Sequence, residues 1–386
     1  MIILRHIYSY TRINNLLQLL RGRHVQSGGG CIDYWSSNGI SYYQRRKCLP
    51  IEVFRFAQLY SNGNLEDSII VMNVQSQQNN DISNMLKNAY NFINNGAFGA
   101  AGDTLEKALT IDFDNGELIC ALKCNGFWTE KNSRYQEITD PFESGEYLIK
   151  QWKSFQTFLE RNEDNFEQGI FSIKQWVFGK ALGDFMTLLD GPTGGDPELL
   201  FRIGKCYKGK GNYKQALEYL EASNHQKADD PRIIAELADC YAFINETKAA
   251  KVFFREAFFL DPQIIELADL ESMMIQRLLD SLREMGYESP ALSEWIPVYG
   301  VLYGIFNVKR ELRSLEYGKL KQSIFTLQSR LGEENQDSYK TEPRLINRYF
   351  WLIDHYISSG DNREKVDDVL QRIKEINPAV YDHYIN

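Results

Sequence analysis

Histidine is scarce in this chain: His6, His24, His225, His355 and His383 are the full set among 386 residues. That scarcity weighs against His-based catalysis and against a multi-His metal site. The six cysteines lack the dense, even spacing of a small disulfide-stapled secreted domain, so a reducing, cytoplasmic setting is the simpler expectation. Cys120 and Cys124, four apart, would share a helix face, yet no second Cys/His pair of suitable spacing follows. Two buried thiols are therefore expected there rather than a zinc site. Long apolar runs are missing as well. The most apolar stretch, WIPVYGVLYGIFNV (Trp295–Val308), is too short to span a bilayer, contains Pro297, and reads as a buried core helix. Strand-type alternation appears nowhere at useful length. No nucleophile elbow, metal-ligand series or phosphate loop is visible, so no catalytic residue, metal or cofactor is expected.

Charge is present but uneven. The net charge is −9, although residues 1–71 hold eight arginines and lysines against four acids, which leaves the body more acidic than the total. An acidic body repels nucleic acid and membranes as a whole. Residues 1–71 show no sustained periodicity and include the Gly28-Gly29-Gly30 break. Three readings of them stand: an organelle transit peptide, a basic partner-binding appendage, or an over-extended start with the natural product beginning at Met72. The third is preferred, and in each case the segment is expected outside the core of the fold.

Two stretches then align without a gap. PELLFRIGKCYKGKGNYKQALEYLEAS from Pro197 lies over PRIIAELADCYAFINETKAAKVFFREA from Pro231 at an offset of 34. Gly204 meets Ala238, Cys206 meets Cys240, Tyr207 meets Tyr241, Ala216 meets Ala250, and Leu220 meets Phe254. Small residues at 204, 216, 238 and 250 suit a close helix crossing, and Gly211 and Asn245 suit the bend between paired helices. Gly209-Lys210-Gly211 is thus a turn; a phosphate cradle needs a preceding strand and a Lys-Ser/Thr opening the next helix.

The spacing of Ile234, Leu237-Ala238, Tyr241, Ala250, Phe254, Ala257 and Asp261-Pro262 resembles the tetratricopeptide repeat, a 34-residue helix–turn–helix unit. The resemblance implies an all-α, TPR-like helix-turn-helix solenoid (a superhelix) over 82–264, with its best repeats at 197–230 and 231–264. Weaker copies are expected near 82–115 and 162–196, and the helical stretches between them look like one repeat with an insertion around Asp140-Pro141. After Pro262 the phase is lost. Residues 265–386 are expected to form a non-repeat helical segment capping the solenoid, with a repeat-like last pair at 343–378.

The resemblance also implies a non-enzymatic protein-interaction scaffold. Its inner groove would be lined by the first helix of each pair and would hold a peptide or helix of a partner. The candidate groove residues are Phe201, Arg202, Lys205, Lys208, Arg232 and Asp239, with Glu198 and Ala235 beside them. Cations flanking an exposed Phe201 suit an acidic peptide or a C-terminal carboxylate; a plain solvated helix face is the competing reading. A chaperone-tail clamp of the family uses Lys and Asn at set groove positions. Phe201, Lys205 and Glu236 stand there instead, so that specificity does not carry over.

Two other expectations remain open. Lys309, Arg310, Arg313, Lys319, Lys321, Arg344 and Arg348, beside Tyr349, Phe350 and Trp351, form a basic-aromatic cluster at 309–351 of the kind that binds single-stranded RNA. Interleaved acids argue for ordinary ion-paired faces, and nucleic acid is not the expected partner. A homo-oligomer could form if the Trp295–Val308 helix, or an uncapped repeat end, buried its apolar face against a second copy.

Overall fold

The structure is a computed structural model that describes residues 36–37, 40–41, 65–161, 166–308, 311–331, 338–361 and 363–386, with side chains from residue 77 onward. Two compact units are present, Met1–Asn73 and Val74–Asn386. In the first, Ser36–Ser37 and Ile40–Ser41 pair as a short antiparallel ribbon with Ser36 opposite Ser41. The first described helix, α1, runs Leu65–Asn94, so the expected boundary at 71/72 falls inside a helix.

The second unit is all-α. Helices α2 (Phe98–Ile111), α3 (Gly116–Tyr135), α4 (Pro141–Glu160) and α5 (Glu167–Met186) lead into two short pairs. These are α6 (Pro197–Gly209) with α7 (Tyr213–Gln226), and α8 (Pro231–Phe243) with α9 (Thr247–Leu260). Two 3-10 turns, Pro262–Ile264 and Leu267–Asp269, interrupt the series. Helices α10 (Met273–Glu284), α11 (Ala291–Leu302), α12 (Ser314–Arg330), α13 (Ser338–Ser358), α14 (Arg363–Ile376) and α15 (Pro378–Ile385) complete it.

An Asx-Pro dipeptide opens four of these helices. Asp140, Asp196, Asp230 and Asn377 each accept a backbone N–H of the first turn on the side chain, and the following proline occupies the first helical position. The Asp140-Pro141 loop and the Asn377-Pro378 stop expected from sequence are therefore also helix starts. The last pair likewise begins at Ser338 rather than 343, with Pro343 inside α13.

The period of 34 is visible in space. Ala216, Ala238 and Ala250 are fully buried, and a Cβ built on Gly204 would stand 2.6 Å from Leu220 Cγ, so α6 and α7 cross too closely for a larger residue. Tyr207 stacks on Tyr219 with centroids 5.5 Å apart, and 34 residues on Tyr241 stacks on Phe253 at 5.3 Å. Gly211 (φ 79°) and Asn245 (φ 65°) hold the same left-handed bend. A Cβ at Gly211 would meet nothing within 4 Å, so only its backbone conformation matters there. Gly211→Ala should lower unfolding stability by about 1–2 kcal/mol. A denaturant midpoint equal to that of the parent protein would refute the assignment of this bend.

Buried apolar residues gather in three clusters, one of them between the two repeats around Phe201, Leu220 and Leu237. One cluster gathers Trp128, Trp152, Phe155 and Trp176 from α3–α5, and a second runs from Ile234 and Phe254 of the repeats through Ile296 and Phe350 to Val380. The C-terminal helices thus share the core of the last repeat and close that end of the solenoid. Trp295, Ile296, Val298 and Phe306 are buried within this chain. The apolar face expected to meet a second copy is covered by the protein's own helices, which corrects that basis for a homo-oligomer.

Candidate functional site: the inner face of the repeats

Helices α6 and α8 present the predicted groove residues on one face, but that face is covered. Past the second repeat, where a third would begin near residue 265, the chain takes an irregular path, Pro262–Ser272, across α4, α5, α6 and α8. This strap reads PQIIELADLES and carries three acids, Glu266, Asp269 and Glu271.

Four lysines from three helices meet it. Lys153 of α4 pairs with Glu266, and Lys174 of α5 holds both oxygens of Glu271 at 2.5 Å. Lys205 Nζ donates to Asp269 Oδ2 at 2.5 Å, and Lys208 Nζ donates to the Asp269 carbonyl at 2.7 Å. Gln156 Nε2 donates to the Ala268 carbonyl at 3.2 Å. From α8, Asp239 accepts the amides of Glu271 and Ser272 at 2.9 Å each, which satisfies two N–H groups just ahead of α10. Two apolar side chains, Ile265 and Leu270, are buried along with these contacts.

The six predicted residues are brought together, in settings that differ from the open row expected. Phe201 is 5% exposed, not exposed, because the neighbouring repeat and three cations close over it. Arg202, Lys205 and Arg232 lie 5.5–5.6 Å from its ring centroid, within cation–π range. Arg202 donates to Glu146 of α4 at 2.5 Å and also pairs with Glu198. Arg232 pairs with Asp230 at 2.7 Å and with Glu198 at 3.3 Å. Lys208 is buried between Glu236 (2.5 Å) and Asp239 (2.7 Å), and Lys205 stands 3.6 Å from Glu236.

Electrostatics follow from this crowding. Burial opposes the charge on Lys208, yet Asp239 and Glu236 outweigh it and hold the ammonium well above its ordinary range. Burial likewise opposes charge on Asp239 and Asp269, but Lys208 and Lys205 respectively keep both carboxyls below theirs. Glu236 goes the other way: its burial outweighs both lysines, and its carboxyl is raised. Beside the strap a cavity of about 80 Å³ remains, lined by Lys153, Phe201, Arg202, Arg232, Ile265 and Glu266 among others.

Sequence reasoning missed Lys153, Lys174 and the strap. The two lysines sit on helices whose repeat pattern is too degenerate to assign an inner face. The strap's own signal was the loss of phase after Pro262 together with its three acids.

The other candidate clusters look different in three dimensions. Tyr349, Phe350 and Trp351 are buried in the C-terminal core, so the basic-aromatic cluster offers no ring face to a base, which corrects that expectation. Arg344 of that cluster pairs with Glu294 at 2.6 Å and Asp261 at 2.8 Å, and Arg348 donates to the Phe259 carbonyl at 3.2 Å. Burial and the adjacent Arg344 push the Arg348 guanidinium down to about 10. Lys309 and Arg310 lie outside the described residues. His355 Nδ1 accepts the Leu312 amide at 3.2 Å, a structural role. Cys120 and Cys124 are buried with sulfurs 4.0 Å apart, and burial raises the Cys124 thiol. Among the described residues no group of three or more His, Cys, Asp or Glu is placed to hold a metal ion. Among them, too, no helix is long and apolar enough to cross a membrane.

Comparison with known proteins gives one family. Residues 195–273 match the model of the tetratricopeptide repeat, a module that generally mediates protein–protein interaction. The matched span covers both short helix pairs and ends just past the strap. No curated protein matches the chain.

Proposed function

Taking the tetratricopeptide repeats of residues 195–273 as the premise, we propose that this protein is a non-enzymatic interaction scaffold whose inner face takes an acidic, extended segment of a partner protein. One observation carries the reading: Lys153, Lys174, Lys205 and Lys208 converge from three helices on a single acidic stretch of backbone. A row of ammonium groups with Asp239 ready to accept amide N–H groups recognises an extended chain through both its acids and its backbone. Phe201 under three cations stiffens the floor of that groove. The cytoplasm is the setting proposed, in keeping with the buried free thiols of Cys120, Cys124, Cys206 and Cys240.

A peptide with the sequence of residues 262–272 should bind the full chain in fluorescence anisotropy at low salt. Its counterpart with Glu266, Asp269 and Glu271 replaced by Gln, Asn and Gln should bind roughly tenfold more weakly, since three charge-assisted contacts are lost. Equal affinity for the two peptides removes the reading, as does no binding of either to a chain whose own strap is loosened by Asp269→Ala with Glu271→Ala.

A further inference from the structure

Resting on that reading, we infer that residues 262–272 are a resident competitor: a strap that occupies the groove in cis and is exchanged for a partner segment of the same chemistry in trans. Three features of the strap carry this. First, it is irregular where the repeat phase calls for a helix: between its two 3-10 turns, Ile265 and Glu266 are extended. A chain that continued the array would have covered the end of α9 and left the inner face open. Second, its hold on the groove joins two apolar anchors to a set of polar contacts. Ile265 and Leu270 are seated in the core of the last repeat, and around them lie four lysine contacts, two amides on Asp239 and one glutamine on a carbonyl. The outer pairs, Lys153–Glu266 and Lys174–Glu271, are open enough to be screened by salt. Third, simple release forfeits the inner contacts. Lys205 would lose the Asp269 carboxylate at 2.5 Å and keep only Glu236 at 3.6 Å, while Lys208 would lose the Asp269 carbonyl and stay held by Glu236 and Asp239.

The third feature sets the partner's chemistry. Exchange restores what simple release forfeits, so the incoming segment brings a carboxylate to Lys205 and a backbone carbonyl to Lys208. The strap supplies both from one residue, Asp269, followed at once by the Leu270 anchor and then Glu271. An apolar–acid pair, two residues, and an acid–apolar–acid triplet is therefore the pattern the groove fits. The cavity beside Ile265 and Glu266 gives an incoming chain its first foothold without prior release of Asp269.

The test uses the full chain and the fluorescent 262–272 peptide. Asp269→Ala with Glu271→Ala weakens the strap's grip in cis and leaves every groove side chain in place. This double variant should bind the peptide at least ten times more tightly than the parent chain. Equal affinities overturn the competition while the groove itself stands; binding to neither overturns both. Helical circular dichroism identifies a variant that fails to fold, and a second measurement on the unaltered protein then decides. Saturating peptide should speed hydrogen exchange at the Glu271 and Ser272 amides of the chain, which Asp239 protects. Unchanged exchange there, with peptide bound, sinks the proposal.

Discussion

Replacing Lys208 with alanine is expected to lower the free energy of unfolding by about 3–5 kcal/mol, the range for removing one partner of a buried ionic cluster. The ammonium is 6% exposed and contacts Glu236, Asp239 and the Asp269 carbonyl. Without it, Asp239 keeps its two amide donors, but Glu236 is left with only Lys205, 3.6 Å away. The loss should fall well short of additive when Glu236→Gln is combined with it, because the second change removes the charge that the first one strands. A pH series gives an independent check. The folded-state carboxyls of Asp239 and Asp269 lie below their ordinary values, so their contribution is full above about pH 4 and drains away as pH falls through those lowered values. Glu236, raised by burial, works in the opposite sense and blunts the effect. Urea midpoints should therefore fall as pH drops below 4 in the parent protein, and less in Lys208→Ala, which loses the share of Asp239 while Asp269 keeps Lys205. A variant with an unmoved midpoint at pH 7 would mean that the cluster is hydrated rather than closed by the strap.

How much of this was legible beforehand depends on the kind of residue. Positions where the backbone or a close crossing admits few side chains advertise themselves: Gly204, Ala238, Gly211 and Asn245 are small or left-handed for reasons that survive in any context. They carried the helix–turn–helix reading across 197–262. The Asx-Pro starts are equally local, and Asp140 and Asn377 were readable as caps even though a loop and a stop were expected there. The groove is a different case. Repeat phase places Phe201, Arg202, Lys205, Lys208, Arg232 and Asp239 on the inner face, but what covers that face is decided by a segment whose Asp269 lies 64 residues beyond Lys205 in sequence. Periodicity reports which side of a helix is apolar and says nothing of an acidic coil folding back over charged side chains. The buried Tyr349-Phe350-Trp351 run shows the same blindness: three consecutive aromatics on a helix look like a surface platform unless the helix is enclosed all round, as α13 is.

Arg255→Ala should be the second severe substitution, again by about 3–5 kcal/mol, with its effect concentrated at the other side of the strap. Arg255 lies on α9 in the second repeat, and its guanidinium pairs with Asp354 on α13, donates to the Val308 carbonyl at 2.6 Å and stacks 4.6 Å from the Trp351 ring. Both charged groups are buried, 99 residues apart in sequence. This contact joins the last repeat to the capping helices, and the strap is the piece of chain strung between those two bodies. Alanine removes both the charge that compensates Asp354 and the flat surface packed on Trp351, so the cap should loosen before the solenoid does. Hydrogen exchange would rise first in α11–α13 and at the Glu271 and Ser272 amides, while α2–α5 stay protected. Arg255→Met with Asp354→Leu, which empties the site of charge at similar volume, should recover most of the loss. If α2–α5 open at the same denaturant concentration as α11–α13 in Arg255→Ala, repeat and cap unfold as one body. The strap would then be anchored at both ends by a single cooperative unit rather than held by the groove alone.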